Sequence, residues 1–227
     1  MKARAISLLA VLLLFIAPLA RGDMIALQLT SGAASVLVLD AGAGDGCPLV
    51  GCITYIGPVG NWYLNVTTGV LDPGVLPKGS IDLNSMSDQK PVTTPLVLEF
   101  TRWDMAVPLI PYGGMWIGGT TDGTQVVYDA YRDNNNNPFG KPAAGLIGTL
   151  TFALPGGTVG FSGATFGNVP VAAPAPPYSL TQRVSLSGST SAASFDATLQ
   201  PVPEPATGIL FGVGLLALGT FLRRRFV

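Results

Sequence analysis

The residue types that most enzymes use for acid–base or nucleophilic chemistry are scarce in this sequence. None of its 227 residues is histidine, which excludes a Ser-His-Asp triad, a Cys-His pair and histidine-containing zinc sites. Glu99 is the only glutamate between residues 23 and 201, so a glycosidase would have to use a pair of aspartates. Neither a G-x-S-x-G nucleophile elbow nor a phosphate-binding glycine loop occurs there. We therefore expect no enzymatic activity, with an aspartate-pair hydrolase as the alternative.

The two cysteines, Cys47 and Cys52, enclose the short segment PLVG. In an exported chain with only two cysteines, a disulfide is the expected state. Closing so short a loop contributes about 2 kcal/mol through chain entropy. The alternative is a redox pair, but the spacing is four residues rather than two, and no cation lies nearby in sequence to activate a thiolate.

A glycine-rich acidic segment, DAGAGDG, begins at Asp40 and includes Asp45. Two carboxylates and several backbone carbonyls could bind Ca²⁺ there, although the full EF-hand spacing is missing. We expect a plain exposed turn and no metal site, because aspartate and glycine are common turn residues, and calcium binding is the alternative. Asp133, followed by asparagines at 134–137, offers a second such choice between a calcium site and a loop tip. No cofactor is predicted.

Aromatic side chains are the other candidates for ligand binding. A planar ring with a polar edge can stack on the apolar face of a sugar, yet an aromatic residue on a strand more often lies in the core. Both interpretations apply to Trp62, Tyr63, Trp103, Tyr112 and Trp116.

Alternation of apolar and polar residues predicts many short strands. Period-two patterns indicate strands with one buried face, and we predict them at 25–29, 35–39, 53–56, 62–67, 96–101, 125–131, 146–153, 180–186 and 194–199. Turn residues separate these segments at Gly57-Pro58, Asp72-Pro73-Gly74, Gly113-Gly114, Asp122-Gly123 and Pro155-Gly156-Gly157. Residues 23–201 are thus predicted to form one all-β domain, an antiparallel β-sandwich or jelly roll.

The charge of this central region argues against one class of partner. Twelve acidic and six basic side chains lie between Asp23 and Val202, a formal charge of −6. Nucleic-acid binding depends largely on cations that neutralise phosphates. We expect no nucleic-acid partner.

The first 22 residues have the layout of a secretory signal peptide. Lys2 and Arg4 precede an uncharged stretch at 5–20, and small residues follow. Cleavage is expected after Gly22, with cleavage after Ala20 as the alternative. An uncleaved anchor helix is a further alternative, although the stretch is shorter than the ~20 residues a spanning helix needs.

Residues 206–222 are uncharged and apolar, and Arg223, Arg224 and Arg225 follow at once. As a helix this stretch would be about 25 Å long, enough to span a thin hydrocarbon core with arginines reaching the headgroups. We predict a transmembrane helix at 206–222 and a basic tail at 223–227. Because cations flanking a span remain in the cytoplasm, the preceding domain is expected outside.

Val202, Pro203, Glu204 and Pro205 stand directly before this apolar stretch. Both prolines keep the segment extended, as a protease-like cleft requires. The order of tripeptide, apolar stretch and basic tail over residues 202–227 resembles the PEP-CTERM sorting signal of Gram-negative bacteria that make exopolysaccharide. The resemblance implies that exosortase, a membrane-embedded enzyme, is the processing partner, and that residues 202–205 are its substrate motif.

These features together predict an exported protein of the cell surface or extracellular matrix. It would be held transiently in the inner membrane and then processed by exosortase. A structural, adhesive or exopolysaccharide-associated role is expected, and the alternative remains an exported carbohydrate-active hydrolase with an aspartate pair. A permanently anchored envelope protein without processing is a further alternative.

Overall fold

The computed structural model of the chain describes residues 24–69, 80–92, 94–105, 112–123, 125–168, 177–188 and 190–201. The predicted signal peptide, sorting motif, membrane helix and basic tail lie outside these ranges. Within them, no helix has the length and apolar character needed to cross a bilayer.

Twelve strands and one 3₁₀ turn, Ala143–Gly145, make up the regular structure of the described residues. The strands are β1 Met24–Ser31, β2 Ala34–Leu39, β3 Cys52–Val59, β4 Trp62–Gly69, β5 Ile81–Val92, β6 Leu96–Met105, β7 Tyr112–Thr121, β8 Gln125–Asp133, β9 Leu146–Ala153, β10 Val159–Asn168, β11 Tyr178–Ser187 and β12 Thr190–Pro201.

The strands form two six-stranded antiparallel sheets. Sheet I has the order β2-β1-β6-β11-β8-β9, and sheet II has the order β10-β7-β12-β5-β4-β3. Strands distant in sequence lie at the centre of each sheet, since β11 pairs with β6 and β12 pairs with both β7 and β5. The predicted all-β sandwich is confirmed.

Apolar side chains from alternate positions of both sheets form one core. In β4, Trp62, Leu64 and Val66 are at most 1% exposed, whereas Tyr63 and Asn65 between them face solvent. The same alternation recurs in the central strands, as expected where one face of each sheet packs on the other. The core residues of sheet I include Leu27, Leu29, Leu98, Phe100, Tyr128 and Val184, and those of sheet II include Ile81, Leu83, Ile117, Phe195 and Leu199.

A buried polar link crosses between the sheets. Gln182, which is fully buried in β11, donates its side-chain amide to the backbone carbonyl of Ile81 at 2.9 Å and accepts a hydrogen bond from the Tyr128 hydroxyl. Both polar ends of Gln182 are therefore satisfied inside the core. Burial raises the pKa of Tyr128 well above its ordinary value, so this hydroxyl stays a donor.

The nine predicted strands all fall within observed ones, but β5, β7 and β10 were not predicted. Two predicted turns were wrong, because Gly113-Gly114 lies inside β7 and Gly57-Pro58 lies inside β3. Proline is tolerated in β3 because this strand is the edge of sheet II, where one row of amides needs no partner.

Candidate functional site

The outer face of sheet II carries a shallow depression of about 650 Å³. Strand register sets its floor, since Ala164, Trp116, Thr198 and Asp82 lie in one row across β10, β7, β12 and β5. The adjacent row across the same strands consists of Ser162, Gly118, Asp196 and Asn84. Because the pleat alternates side chains between faces, all of these residues point away from the core.

Trp116 lines the depression, and the ring of Phe166 packs against it. Trp116 is half-buried, and Phe166 on the neighbouring strand is 63% exposed. Their ring centroids lie 5.5 Å apart with the planes at 87°, the edge-to-face geometry that aromatic pairs favour. An exposed aromatic pair beside polar groups is typical of a ligand-contacting surface rather than of a sheet's solvent face.

The open space beside Trp116 exists because glycine occupies position 118. A Cβ atom built on Gly118 would have no atom closer than 3.7 Å, so a side chain would fit there without strain and would project into the depression. Gly119 has the opposite role. Its Cβ would lie 2.0 Å from the carbonyl oxygen of Ser194, so glycine is needed there for β7 and β12 to approach each other.

Two aspartates share the floor of the outer face. Asp82 accepts a hydrogen bond from the Thr198 hydroxyl at 2.9 Å and lies diagonally across the β5–β12 ladder from Asp196, which is paired with Asn84. Burial, followed by the charge of Asp196, raises the pKa of Asp82 to about 6. The pair can therefore accept hydrogen bonds from ligand hydroxyls and can also donate one when it holds a proton.

The outer face of sheet I has a different electrostatic character. Glu99 is paired with Lys141 and, at 3.5 Å, with Arg183, and Arg183 also contacts Asp129 at 3.2 Å. Thr149 donates to Asp129 at 2.8 Å and extends the network to β9. These opposite charges neutralise one another, so Glu99 is engaged in ion pairs and is not placed as a catalytic acid.

The loop between β2 and β3 is closed by a disulfide between Cys47 and Cys52, whose Cα atoms are 6.0 Å apart. The predicted disulfide is confirmed. Asp45 lies at the centre of this loop and accepts hydrogen bonds from the backbone amides of Ala41, Cys47 and Thr54 at 2.8 to 3.0 Å. Asp40 accepts one from Gly51 at 2.9 Å.

The two calcium candidates are thus used by the structure to organise a loop. Both oxygens of Asp45 already accept amide hydrogens, which leaves them poorly placed to bind a cation. No group of three or more acidic or cysteine side chains suited to a metal occurs within the described ranges. The sequence predicted a plain turn here, with calcium binding by Asp40 and Asp45 as the alternative, and a chelator titration of the melting temperature would distinguish the two.

The five aromatic candidates are distributed over different parts of the sandwich. Trp62 is a core residue at 1% exposure, and Tyr63 is 49% exposed on β4, two strands away from β12. Trp103 is half-buried on the outer face of sheet I. Only Trp116 lies beside the depression among those whose side chains are described, and the side chain of Tyr112 lies outside the described set.

The sequence analysis did not identify Asp82, Asp196, Thr198 or Phe166. Asp82 and Thr198 are 116 residues apart in the chain, and only the pairing of β5 with β12 brings them together. The one sequence signal that could have suggested this face is the alternation of Asp82, Asn84 and Met86 with apolar or small residues in β5.

Comparison with known families identifies the C-terminal end of the chain. Residues 201–225 match the PEP-CTERM protein-sorting motif, which confirms the predicted signal. This motif indicates a protein that is exported, anchored transiently in the membrane and sorted by exosortase. The assignment of Val202, Pro203, Glu204 and Pro205 as the substrate motif stays a prediction. No curated protein is similar in sequence.

Several solved structures are distantly similar to the sandwich. The enzymatically active domain of tailspike protein 4 from bacteriophage CBA120 is 15% identical, with a TM-score of 0.36 over 64% of this chain and 20% of that one. TmCBM61 in complex with beta-1,4-galactotriose is 12% identical, with a TM-score of 0.33 over 64% and 92%.

The cleaved adhesin domain of Lys-gingipain from Porphyromonas gingivalis is 14% identical, with a TM-score of 0.29 over 68% of this chain and 99% of that one. This chain spans only 20% of the tailspike protein. At these TM-scores the similarities carry no inference about ligands.

Proposed function

We propose that this protein is a non-enzymatic component of the cell surface or extracellular matrix that binds polysaccharide through the outer face of sheet II. The sorting motif supports the location, because it indicates export and exosortase processing. The binding role rests on the depression beside Trp116.

The chemistry of that depression suits a sugar chain. The half-buried Trp116 and the exposed Phe166 provide apolar ring surface for the C–H face of a pyranose. Thr198 and Asp196 line the same depression and offer hydrogen-bonding groups for hydroxyls. The depression is open along the sheet, and Gly118 adds no side chain that would close it. It therefore has room for a polymer rather than for a small enclosed ligand.

The binding test compares matched tryptophans on opposite faces. The full chain, purified in detergent, is run through gels containing pullulan or hydroxyethyl cellulose, and retardation gives the affinity. Trp116→Ala should weaken binding at least about tenfold, the usual consequence of removing a central aromatic contact. Trp103→Ala, on the outer face of sheet I, should bind like the wild type.

A second variant blocks the site without removing an aromatic ring. Gly118→Val fills the depression, and no atom lies within 3.7 Å of the new Cβ, so the fold should be retained. Melting temperatures of all three variants check that loss of binding is not loss of folding. Equal binding by wild type, Trp116→Ala and Gly118→Val would disprove the proposed site.

The aspartate pair keeps a hydrolase as the second candidate. Asp82 has the raised pKa of a general acid, and Asp196 is its neighbour. However, the Asp82 carboxyl is engaged by the Thr198 hydroxyl, and of the two aspartates it is Asp196 that lines the depression. Release of reducing ends from the bound polysaccharide, abolished by Asp196→Asn, would favour the hydrolase; retention without turnover supports the binding protein.

A further inference from the structure

We infer that the polysaccharide face of sheet II accepts uncharged glycans and rejects polyanionic ones such as polyuronates. This inference rests on the proposed function and adds the class of ligand. It follows from the charges that surround Trp116.

The charged side chains described on this face are of one sign. Asp196 lines the depression and Asp82 lies in the same row as Thr198 and Trp116. Among the side chains that the structure describes on the outer face of sheet II, none is a lysine or arginine. A ligand carboxylate beside Trp116 would therefore lie next to the like charge of Asp196.

Sheet I shows what a neutralised face of this sandwich looks like. There, Arg183 bridges Glu99 and Asp129, and Lys141 forms a second ion pair with Glu99. The two negative charges are thus matched by two positive ones. Among the side chains that the structure describes in sheet II, no cation bridges Asp82 and Asp196, and the Asp82 carboxyl accepts a hydrogen bond from the hydroxyl of Thr198. For the described side chains, this contrast places the negative charge of sheet II beside Trp116 itself.

Uncharged sugars meet no such penalty. Each ligand hydroxyl can donate to a carboxylate oxygen of Asp196, and hydrogen bonds to a charged acceptor are stronger than neutral ones. The carboxyl groups of Asp82 and Asp196 would thus bind a neutral sugar chain and repel an anionic one. A single polar surface can in this way provide both affinity and specificity.

The test uses polymers that differ only in charge. Pullulan and hydroxyethyl cellulose are each compared with their C6-carboxylated derivatives by gel retardation of the full chain at pH 7.5 and low salt. We expect binding to the carboxylated polymer to be at least about tenfold weaker than to its neutral parent. Added salt should reduce this difference, because it screens charges beyond a Debye length of about 10 Å at 0.1 M.

Isosteric substitutions separate local from global charge. Asp82→Asn with Asp196→Asn should restore binding to the carboxylated polymer to within about threefold of the neutral one. The control, Thr151→Lys with Ala153→Lys, changes the net charge equally but lies on the exposed edge strand of sheet I. It should leave the discrimination unchanged.

Three outcomes are distinguishable. Equal binding of neutral and carboxylated polymers by the wild type would overturn the inference while leaving the binding function intact. Equal relief by the control variant would overturn it too, because net charge would then explain the rejection. If none of the four polymers retards the wild type in the gel, both the proposed function and this inference are wrong.

Discussion

The protonation of Asp82 should make the stability of the sandwich depend on pH. Burial and the neighbouring Asp196 move the pKa of Asp82 from 3.8 to about 6 in the folded protein. The folded state therefore holds a proton at pH values where the unfolded chain has already lost it. Stability should decrease as pH rises from about 4 to about 7, because the unfolded state binds fewer protons over that range.

The size of the effect follows from the same pKa. A change from 3.8 to about 6 corresponds to about 3 kcal/mol between the two protonation states. Asp82 is only partly buried, so screening by solvent reduces the expected loss to about 1 to 1.5 kcal/mol. For a domain of this size that amounts to roughly 2 to 6 °C in melting temperature.

The assay is thermal unfolding, followed by circular dichroism, of wild type and Asp82→Asn between pH 4 and pH 8. Asparagine keeps the oxygen that accepts from Thr198 but cannot ionise. Relative to the wild type, the melting temperature of the variant should be little changed at pH 4 and higher by roughly 2 to 6 °C above pH 7. Parallel curves for the two proteins would show that the Asp82 pKa is not raised.

A companion substitution at Thr198 tests what the hydrogen bond contributes to the pKa of Asp82. The hydrogen bond from Thr198 stabilises the ionised Asp82 and lowers its pKa, so Thr198→Val should raise the pKa further. The loss of stability should then extend to higher pH than in the wild type. A shift toward lower pH would contradict this assignment of the hydrogen bond.

Two further predictions concern the sheet and the sorting motif. Gly119→Ala would place a Cβ atom 2.0 Å from a backbone oxygen of β12, so the free energy of unfolding measured in urea should fall by at least about 3 kcal/mol. The control, Gly118→Ala, should change it by less than about 1 kcal/mol. Similar losses in both variants would argue against the close approach of β7 and β12. Glu204→Ala should prevent exosortase processing and leave the chain in the membrane fraction at its unprocessed intact mass, while normal cleavage would show that this glutamate is dispensable.

Sequence patterns predicted sheet I much better than sheet II. In sheet I, strands such as β1, β6 and β11 place bulky apolar residues at every second position, so the period of two is visible in the sequence. In sheet II, β7 reads YGGMWIGGTT and β10 reads VGFSGATFGN. Glycine at outward or closely packed positions hides the alternation and resembles a turn, which is why Gly113-Gly114 was misassigned.

The candidate site was hidden for the same reason. Trp116 was recognised as a possible sugar-stacking residue, but its strand was not, so its neighbours could not be inferred. Asp82 comes from β5, where serine occupies two of the inward positions and weakens the apolar pattern. Long-range strand pairing, which joins β5, β12 and β7, leaves no trace in a single sequence.

The position of β12 determines how the sandwich resists pulling. This strand is bonded along both sides, to β7 as far as the Pro201–Gly113 pair and to β5, and the sorting motif begins at its last residue. Tension applied from the membrane anchor would run parallel to β12 and across its hydrogen bonds, so two ladders would have to shear together instead of unzipping bond by bond. Since forced unfolding depends on the rate of unfolding, attachment through a central strand should slow the mechanical unfolding of the domain for as long as it is anchored.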